Sequence, residues 1–480
     1  MQKINKMSEN RQKIFFSGIG GSGVSAIASF MADRGHEISG SDRAFDLDPA
    51  HPLTGVFRKK GIRISPQDGS GIDRSLDFAV MSTAVEAGTP EVVKARSLGV
   101  PLKTRPDYLA ELASGFFKKT IAVAGTSGKS TASGLLAFLM KELGFATNFI
   151  GGGRVKAFKN GSNPGNSIAH IPISQNETSK EGGNSIEKSE WLVLEACESD
   201  GTIVKYKPLH SVILNLELDH HGIEETALMF KALSQNTKGS VIINSDDNNL
   251  RGLSLEGAVT FGINSPARFK ARALGLGPFG SSFSVDDVEF TLALPGQYNI
   301  YNALSAIAVL SVLGVPLKAI AGPLSRFTGI DRRFDVHLNE GGRLVIDDYA
   351  HNPHKITALM QAISLSGLGD SVCYVFQPHG FGPARMLKKE YIEAFAQNLR
   401  EEDQLVLLPI FYQGGTVSMD ISSEDIARGV REAGKKSAVA VSGRADVLEM
   451  TARWDCFVIM GARDESLSLL AASIAKKISS

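Results

Sequence analysis

Cysteine is scarce in this chain, net charge is absent, and no long apolar run occurs. The 480 residues include three cysteines, at positions 197, 373 and 456, and this wide spacing matches neither a disulfide framework nor a zinc knuckle. The 51 basic and 51 acidic residues cancel, which argues against nucleic acid as a partner. No run of about 18 apolar residues is present to insert into a membrane, and residues 1–13 lack the apolar centre of a signal peptide. We therefore expect a cytoplasmic protein without membrane insertion.

A glycine-rich loop is the most informative feature that the chain does contain. It follows an apolar run at 120–124 and precedes a helix-like run at 132–143, so strand, turn and helix come in the order that a phosphate-binding loop requires. Its glycines let backbone N–H groups curl around phosphate oxygens, its lysine supplies a positive charge, and the serine after it is suited to Mg²⁺. The alternative is a chance turn before a helix. The loop consists of Gly125, Thr126, Ser127, Gly128, Lys129, Ser130 and Thr131.

A second glycine-rich loop lies near the N-terminus, between a strand-like stretch at 13–17 and a helix-like stretch that reaches Ala32. An acidic residue follows the next strand, about 20 positions further on, which is the spacing of a dinucleotide-binding βαβ unit. By itself this pattern predicts nucleotide binding, and the alternative is a tight turn without a ligand. The candidate binding residues are Gly18, Gly20, Gly21, Ser22, Gly23 and Asp42.

Two polar side chains stand at the ends of predicted strands that follow the phosphate-binding loop. Glu195 ends the strand-like run at 190–195, and His220 follows the run at 210–216. Because the carboxyl ends of parallel strands meet at one edge of a sheet, we expect both side chains near Ser130. A carboxylate, an imidazole and a hydroxyl there would hold divalent cations. The alternatives are a surface carboxylate and a loop histidine with a partner of its own.

Strand-like and helix-like stretches alternate along the whole chain, which indicates an α/β protein. The length predicts two to four domains, and we expect three, each a mostly parallel sheet with flanking helices. The N-terminal domain is predicted to be Rossmann-like, the central one a P-loop ATPase and the C-terminal one Rossmann-like, with boundaries at 1–115, 116–330 and 331–480. The central domain carries a polar insertion at about 158–190. The alternation from Phe283 to Leu294 predicts one antiparallel strand.

The complete set of motifs, in its order along the chain, resembles the Mur ligase family. Besides the two glycine loops, the set contains Glu-Ala-Cys-Glu-Ser-Asp at 195–200, Asp-His at 219–220, Pro-Gly-Gln-Tyr-Asn-Ile-Tyr-Asn at 295–302, Arg-Arg-Phe-Asp at 332–335, Asp-Asp-Tyr-Ala-His-Asn-Pro at 347–353 and Phe-Gln-Pro-His at 376–379. The resemblance implies an ATP-dependent acid–amino-acid ligase of peptidoglycan precursor synthesis. Such an enzyme transfers the γ-phosphoryl group of ATP to a carboxylate, and an amine then displaces the phosphate.

The resemblance also implies a role for each domain. The N-terminal domain would bind UDP-N-acetylmuramate at its glycine loop, the central domain ATP with two Mg²⁺ ions, and the C-terminal domain the incoming amino acid, L-alanine. The implied catalytic residues are Lys129, Glu195, His220, His351, His379 and Arg385. The implied ATP contacts outside the phosphate loop are Asn299, Asn302, Arg333 and Asp348. The implied metal ligands are Ser130, Glu195 and His220. We expect a monomer or a weak homodimer.

Several positions depart from the pattern of the alanine-adding members. Cys197 stands where they have aspartate, and the segment Gly380–Arg385 keeps only the last of three arginines. Arginines clamp carboxylates with paired hydrogen bonds, so this departure leaves two alternatives open. One is a sister ligase that attaches a different amino acid or a recycled peptide to the same sugar, and the other is a non-catalytic nucleotide-binding relative. An NAD-dependent enzyme would leave the phosphate-binding loop unexplained.

Overall fold

The computed structural model describes residues 11–49, 51–83, 85–170, 190–218, 221–365, 367–412, 418–461, 464 and 466–479. Residues 171–189, which form most of the predicted polar insertion, lie outside this part of the chain, as does His220. None of the helices in the described ranges combines the length and the hydropathy needed to cross a bilayer.

The first sheet is entirely parallel, in the order β3-β2-β1-β4-β5. Its strands are β1 Lys13–Ser17, β2 Glu37–Ser41, β3 Arg63–Ile64, β4 Phe78–Met81 and β5 Leu102–Thr104. The helices around it are α1 Ser22–Asp33, α2 Arg43–Leu47, α3 Pro52–Lys59, α4 Pro90–Leu98 and α5 Arg105–Glu111. The central strand is apolar on both faces, since Phe15 and Phe16 are both fully buried. Burial of this kind is typical of a parallel sheet covered by helices on two sides.

The second sheet has ten strands in the order β15-β14-β13-β12-β11-β10-β6-β9-β7-β8. The strands are β6 Lys119–Ala124, β7 Thr147–Ile150, β8 Ser167–Ile168, β9 Trp191–Glu195, β10 His210–Ile213, β11 Val241–Asn244, β12 Val259–Gly262, β13 Phe269–Leu276, β14 Ser281–Val285 and β15 Val288–Leu292. The helices are α6 Lys129–Glu142, α7 Ile223–Asn236, α8 Asn248–Gly252, α9 Gln297–Val312 and α10 Leu317–Ser325. Strands β9, β6 and β10 are adjacent and parallel, so their carboxyl ends meet at one edge.

The third sheet has the order β16-β17-β21-β18-β19-β20, and only its edge pair β16–β17 is antiparallel. The strands are β16 Asp335–Glu340, β17 Arg343–Asp348, β18 Cys373–Gln377, β19 Gln404–Leu407, β20 Ala438–Ala440 and β21 Cys456–Gly461. The helices are α11 Pro353–Leu365, α12 Phe381–Met386, α13 Lys388–Asn398, α14 Ser423–Glu432, α15 Arg444–Glu449 and α16 Leu467–Ser479. Separate apolar clusters cover its two faces. Cys373 and Cys456 are buried at the start of two neighbouring strands.

The predicted fold class is confirmed: the protein is α/β, and its three sheets are mostly parallel with helices around them. Residue contacts divide the chain into two compact units. The first contains residues up to 275 with 281–293 and 297–330, and the second contains 276–280, 294–296 and 331–480. The first two sheets belong to the first unit and the third sheet to the second. The predicted domain boundaries at 115 and 330 stay predictions.

Candidate active site

The phosphate-binding loop connects β6 to α6, as its sequence predicts. Gly128 precedes the first residue of α6 in the left-handed conformation, with a φ of 82°. A Cβ atom on Gly128 would lie 2.6 Å from Oδ1 of Asn302, and one on Gly125 would lie 2.9 Å from Cβ of Leu214. Both positions therefore require glycine, for the backbone conformation and for the lack of space. The loop leaves the N-terminus of α6 as the kind of anion site that phosphates use.

Asn215, which follows β10, fixes the conformation of this loop. Its Oδ1 accepts hydrogen bonds from Thr126 Oγ1 and from the Ser127 backbone N–H, both at 2.8 Å. Its Nδ2 donates to the Ser127 carbonyl at 3.1 Å. The hydroxyl of Thr126 also accepts from the backbone N–H of Glu217 at 3.0 Å. Three polar groups of one loop are thus satisfied by one amide side chain, so the loop is held in place before any ligand binds.

Lys129 is folded onto its own loop and onto a buried carboxylate. Its Nζ donates to the Gly125 carbonyl at 2.6 Å and lies 2.9 Å from Oε2 of Glu198. The Glu198 side chain is 1% exposed. Burial disfavours the charged form of Lys129, but the acidic neighbours outweigh it, Glu198 first among them, and the pKa of the ammonium is raised. Lys129 is therefore charged at neutral pH and ready to meet phosphate oxygens.

Ser130 and Glu195 form the part of the predicted metal site that the structure describes. The Ser130 hydroxyl donates to Oε1 of Glu195 at 3.1 Å, and Oε2 of Glu195 accepts the Gly152 backbone N–H at 2.8 Å. A hydroxyl and a carboxylate are the hard oxygen donors that Mg²⁺ prefers, and Mg²⁺ keeps several waters of its own. In the described ranges no three or more His, Cys, Asp or Glu side chains are grouped to hold a metal ion. Ser130 and Glu195 stay the predicted ligands within those ranges.

Two of the predicted nucleotide contacts lie on the first turns of α9. Asn299 and Asn302 are 4% and 5% exposed, and Nδ2 of Asn302 donates to Oδ1 of Asn299 at 3.2 Å. Asn302 also reaches the space beside Gly128. Thr131, at the start of α6, is buried as well. Asn302 therefore lies directly beside the phosphate-binding loop, and Asn299 is its hydrogen-bonded neighbour.

The N-terminal glycine loop connects β1 to α1 and is closed by Asp42. The Gly20 backbone N–H donates to one carboxylate oxygen of Asp42 at 2.8 Å, and the Ala44 N–H donates to the other at 2.9 Å. Gly18 has a φ of 77°, and its N–H donates to the Ser41 carbonyl at 2.8 Å. Asp42 thus holds the loop and caps α2. Gly21 and Ser22 are exposed at the start of α1. The Gly21 N–H donates to the Gly18 carbonyl at 3.2 Å, and the N-terminus of α1 favours an anion through its dipole.

An ion pair that the sequence did not predict lies beside this loop. Arg105, the first residue of α5, pairs with Asp200, the last residue of the motif that contains Glu195. The side chains are 19% and 12% exposed. A Cβ atom on Gly23 would lie 3.4 Å from Cδ of Arg105, so the arginine side chain runs along the start of α1.

In the second unit, Asp348 organises the turn that follows β17. Its carboxylate accepts the backbone N–H groups of Phe334 at 2.7 Å and of Ala350 at 2.8 Å. Burial raises the pKa of Asp348, and the charge of Arg333 opposes that shift. The guanidinium of Arg333 lies 4.6 Å from the ring centroid of Tyr349, which is a cation–π distance. Two of the predicted ATP contacts of this unit are therefore neighbours.

His351 and His379 lie side by side in the same unit. Their ring centroids are 5.2 Å apart and nearly perpendicular. Nδ1 of His351 is 2.9 Å from the Tyr349 carbonyl, and since a carbonyl only accepts, Nδ1 must carry the hydrogen. Burial lowers the pKa of His351 well below its ordinary value, with further contributions from nearby positive charges. His351 is therefore neutral at pH 7, with its proton on Nδ1.

Arg385, the one arginine kept in its segment, is on the surface of the second unit. It pairs with the carboxylate of Asp420 and donates to the Ser418 carbonyl at 2.9 Å. The Arg385 side chain is 45% exposed. In this conformation its hydrogen-bonding capacity is partly used within the unit.

Three stretches of the chain match Mur ligase domains. Residues 13–117 match the Mur ligase family catalytic domain, 123–310 the Mur ligase middle domain and 332–463 the Mur ligase glutamate ligase domain. A UDP-N-acetylmuramate–L-alanine ligase of Solibacter usitatus is 31% identical over 449 residues, or 91% of this chain and 88% of the relative. One of Alkaliphilus metalliredigens is 34% identical over 406 residues, or 81% of this chain and 82% of the relative.

The chain belongs to the Mur ligase family.

Solved structures of Mur ligases share its fold. The structure of UDP-N-acetylmuramate-alanine ligase from Thermotoga maritima superimposes with a TM-score of 0.79 at 24% identity, covering 98% of this chain and 99% of that one. A murein peptide ligase from Psychrobacter arcticus gives a TM-score of 0.70 at 20% identity, covering 97% and 99%. As a Mur ligase the protein is an ATP-dependent ligase, and the phosphate-binding loop described above is consistent with the use of ATP.

Within the first unit of this Mur ligase, the predicted P-loop residues, Glu195 and the two asparagines of α9 lie around one loop. In the second unit Arg333 lies near Asp348, and His351 lies near His379. Arg385 instead pairs with Asp420 on the surface of that unit. His220 lies outside the described residues, and the roles assigned to all these side chains stay predictions. Two residues of this site, Glu198 and Asn215, are not among those predicted from the sequence. Glu198 stands inside the motif at 195–200, three residues after Glu195. The motif therefore indicates an acidic partner for Lys129, but not which of its three acids that partner is.

Proposed function

We propose that this Mur ligase joins L-alanine to the carboxylate of UDP-N-acetylmuramate. The observation that carries the proposal is the 31–34% identity, over most of the chain, to relatives named for this reaction. The site suits it, because a charged P-loop lysine is followed by Ser130, whose hydroxyl pairs with the Glu195 carboxylate at the end of β9 as oxygen donors for Mg²⁺. Both reactants are anionic, so positive charge is needed to bring them together.

The reaction assigns a task to each group. ATP gives its γ-phosphoryl group to the muramate carboxylate, producing ADP and an acyl phosphate, and Lys129 stabilises the charge on the transferred oxygens. Ser130 and Glu195 would hold Mg²⁺, which when bound screens the phosphate charges. The amine of alanine then attacks the acyl carbon, phosphate leaves, and the amine loses a proton. Neutral His351, with Nδ1 donating to Tyr349, is our candidate for orienting that amine.

A second candidate function has one observation in its favour. Arg385 is the single arginine kept at the expected carboxylate clamp, and it pairs with Asp420. A ligase that attaches a different amino acid or a recycled stem peptide to the same sugar would need a different clamp. The predicted monomer or weak homodimer and the cytoplasmic location stay predictions.

Phosphate release from ATP, measured with UDP-N-acetylmuramate and each of the twenty amino acids or the stem tripeptide, decides between these functions. A strong preference for L-alanine supports the proposal. Release with another amino acid or with the tripeptide replaces it by the second candidate. Absence of release with every acceptor contradicts both and favours a non-catalytic relative.

Lys129→Ala is expected to lower phosphate release at least about a thousandfold, because the charge that stabilises the transferred phosphoryl group is lost. The matched control is Lys318→Ala, which removes an exposed lysine of α10 in the same unit. Steady-state phosphate release with saturating substrates measures both. Activity of Lys129→Ala within tenfold of the wild type would falsify the assigned role.

A further inference from the structure

One short loop contacts the phosphate-binding loop directly and the N-terminal glycine loop through Arg105. It comprises residues 195–200 and begins at the last residue of β9. Its first residue accepts the hydrogen bond of Ser130, and Glu198 pairs with Lys129 at 2.9 Å. Its last residue, Asp200, pairs with Arg105 beside the N-terminal glycine loop. Six consecutive residues therefore connect the phosphate-binding loop to the start of α1.

Asp200 is the fixed member of its ion pair. Oδ1 of Asp200 accepts the backbone N–H of Thr202 at 3.0 Å and also the Thr202 hydroxyl, which leaves Oδ2 to face Arg105. The guanidinium of Arg105 lies at the end of a long side chain with several rotatable bonds. Because both side chains are mostly buried, water and salt screen their attraction poorly. An anion arriving at the start of α1 would thus compete with Asp200 for a single guanidinium.

A second set of hydrogen bonds connects the start of α1 to Glu195, the first residue of the 195–200 loop, by a route through Asn166. Nδ2 of Asn166 donates to the Ser22 carbonyl at 2.9 Å and to the Ser25 hydroxyl at 2.8 Å. The Asn166 carbonyl accepts the N–H of Gly151 at 2.9 Å, and the neighbouring Gly152 N–H donates to Glu195. The start of α1 is therefore connected to the 195–200 loop by two routes, one through Arg105 and Asp200 and one through Asn166. A displacement at the start of α1 can reach the 195–200 loop through these contacts.

We propose that Asp200 and Arg105 are positioning residues that couple the two nucleotide sites. The diphosphate of the sugar nucleotide, bound at the start of α1, shares Arg105 with Asp200. The resulting shift of the 195–200 loop relaxes the hold of Glu198 on Lys129, so ATP binds more tightly. The proposal rests on the proposed function, because it takes the N-terminal loop as the sugar-nucleotide site. Linkage requires that each ligand raise the affinity for the other by the same factor.

Calorimetric titration with a non-hydrolysable ATP analogue, with and without saturating UDP-N-acetylmuramate, measures this factor. For the wild type we expect the analogue to bind at least about fivefold tighter when the sugar nucleotide is present, a coupling of ordinary size. In Asp200→Asn and in Arg105→Gln the factor should fall to near one, while the analogue alone still binds. Arg105→Lys keeps the charge and should keep part of the coupling. If Asp200→Asn does not fold, Arg105→Gln remains as the test.

A neighbouring ion pair to the same helix, α5, provides the matched control. Lys205 ends the helical turn Thr202–Lys205 that follows the 195–200 loop, and it pairs with Asp107 of α5, with both side chains about half exposed. Lys205→Gln should keep the wild-type factor. The proposal is overturned if the wild type shows no coupling, if Asp200→Asn and Arg105→Gln keep it, or if Lys205→Gln loses it too. If the wild type binds neither the ATP analogue nor UDP-N-acetylmuramate, that result would instead contradict the proposed function on which this proposal rests.

Discussion

Gly128 is constrained twice, by its backbone and by its surroundings. Its φ of 82° is unfavourable for any residue with a Cβ, and that Cβ would lie 2.6 Å from the Asn302 amide oxygen. Gly128→Ala should therefore cost about 1–3 kcal/mol of stability. It should also weaken binding of an ATP analogue more than tenfold, because α6 can no longer begin in the same place. Urea unfolding and calorimetric titration measure the two effects.

Gly144, at the other end of α6, is the control for this prediction. It has a nearly identical φ of 83°, but no atom lies within 4 Å of the position of its Cβ. Gly144→Ala should therefore cost about 1 kcal/mol of stability from the backbone alone and leave nucleotide affinity unchanged. Equal loss of nucleotide affinity in the two variants would show that the contact with Asn302 is irrelevant.

At the scale of an element, strand β10 depends on a neutral histidine. Nδ1 of His210 accepts the Ser240 backbone N–H at 3.1 Å, just before β11 begins, and its ring stacks on Trp191. Burial lowers the pKa of His210 below its ordinary 6.5. His210 therefore binds a proton more readily in the unfolded chain than in the folded one. The stability that neutral His210 contributes is complete above pH 6.5 and is lost as the pH falls towards the lowered pKa. We expect the free energy of unfolding to decline between pH 7.5 and 5.5, and to decline less in His210→Gln.

Parallel urea titrations of the wild type and His210→Gln at both pH values isolate this group, because all other titrating groups are common to the two proteins. The difference between the two proteins in how far the free energy of unfolding falls from pH 7.5 to 5.5 is due to His210. An equal fall in both proteins would contradict the prediction.

At the scale of the whole molecule, the second unit contains a buried ion pair of its own. Arg332 and Asp347 are 5% and 0% exposed and 3.1 Å apart, and Arg332 also donates to the Gly461 carbonyl at 2.7 Å. Asp347→Asn would leave a buried guanidinium without its counter-ion, at a cost of about 3–5 kcal/mol. Since residue contacts separate the chain into two units, calorimetry should show one unfolding transition lowered and the other unchanged.

Asp455→Asn is the comparison for this variant, because Asp455 faces Arg343 at 3.8 Å in an exposed position of the same unit. Its effect on either transition should be within about 0.5 kcal/mol. A shift of both transitions in Asp347→Asn would mean that the two units unfold together.

The elements that local patterns encode could be predicted. The strand before Gly125, the helix after Gly128 and the convergence of strand ends near Ser130 follow from hydrophobic patterning and glycine placement. The alternation from Phe283 to Leu294 predicts one strand, and this prediction is wrong: the chain turns there, with Asp286 at a φ of 50°, and forms the hairpin β14–β15. An isolated aspartate in a left-handed turn leaves little trace in a pattern of alternating apolar residues.

The partners of side chains on loops could not be predicted. Glu198 and Asp200 are two residues apart, yet one meets Lys129 and the other meets Arg105. Which acid faces which base depends on the exact course of the 195–200 loop and on elements nearly 70 and 95 positions away along the chain. Such pairings are set by tertiary packing, about which local propensity carries no information.

The three thiols give the protein a practical property. Cys197 lies 3.0 Å from the Ser199 hydroxyl, and burial raises its pKa. Burial likewise raises the pKa of Cys373 and brings that of Cys456 to about 12. Thiolates are the reactive form, so maleimides should label the native chain slowly. A single cysteine introduced at an exposed position such as Ser22 would then be labelled with a fluorophore much faster than the three native cysteines. Changes in its fluorescence would report movements of the N-terminal glycine loop without replacement of any native cysteine.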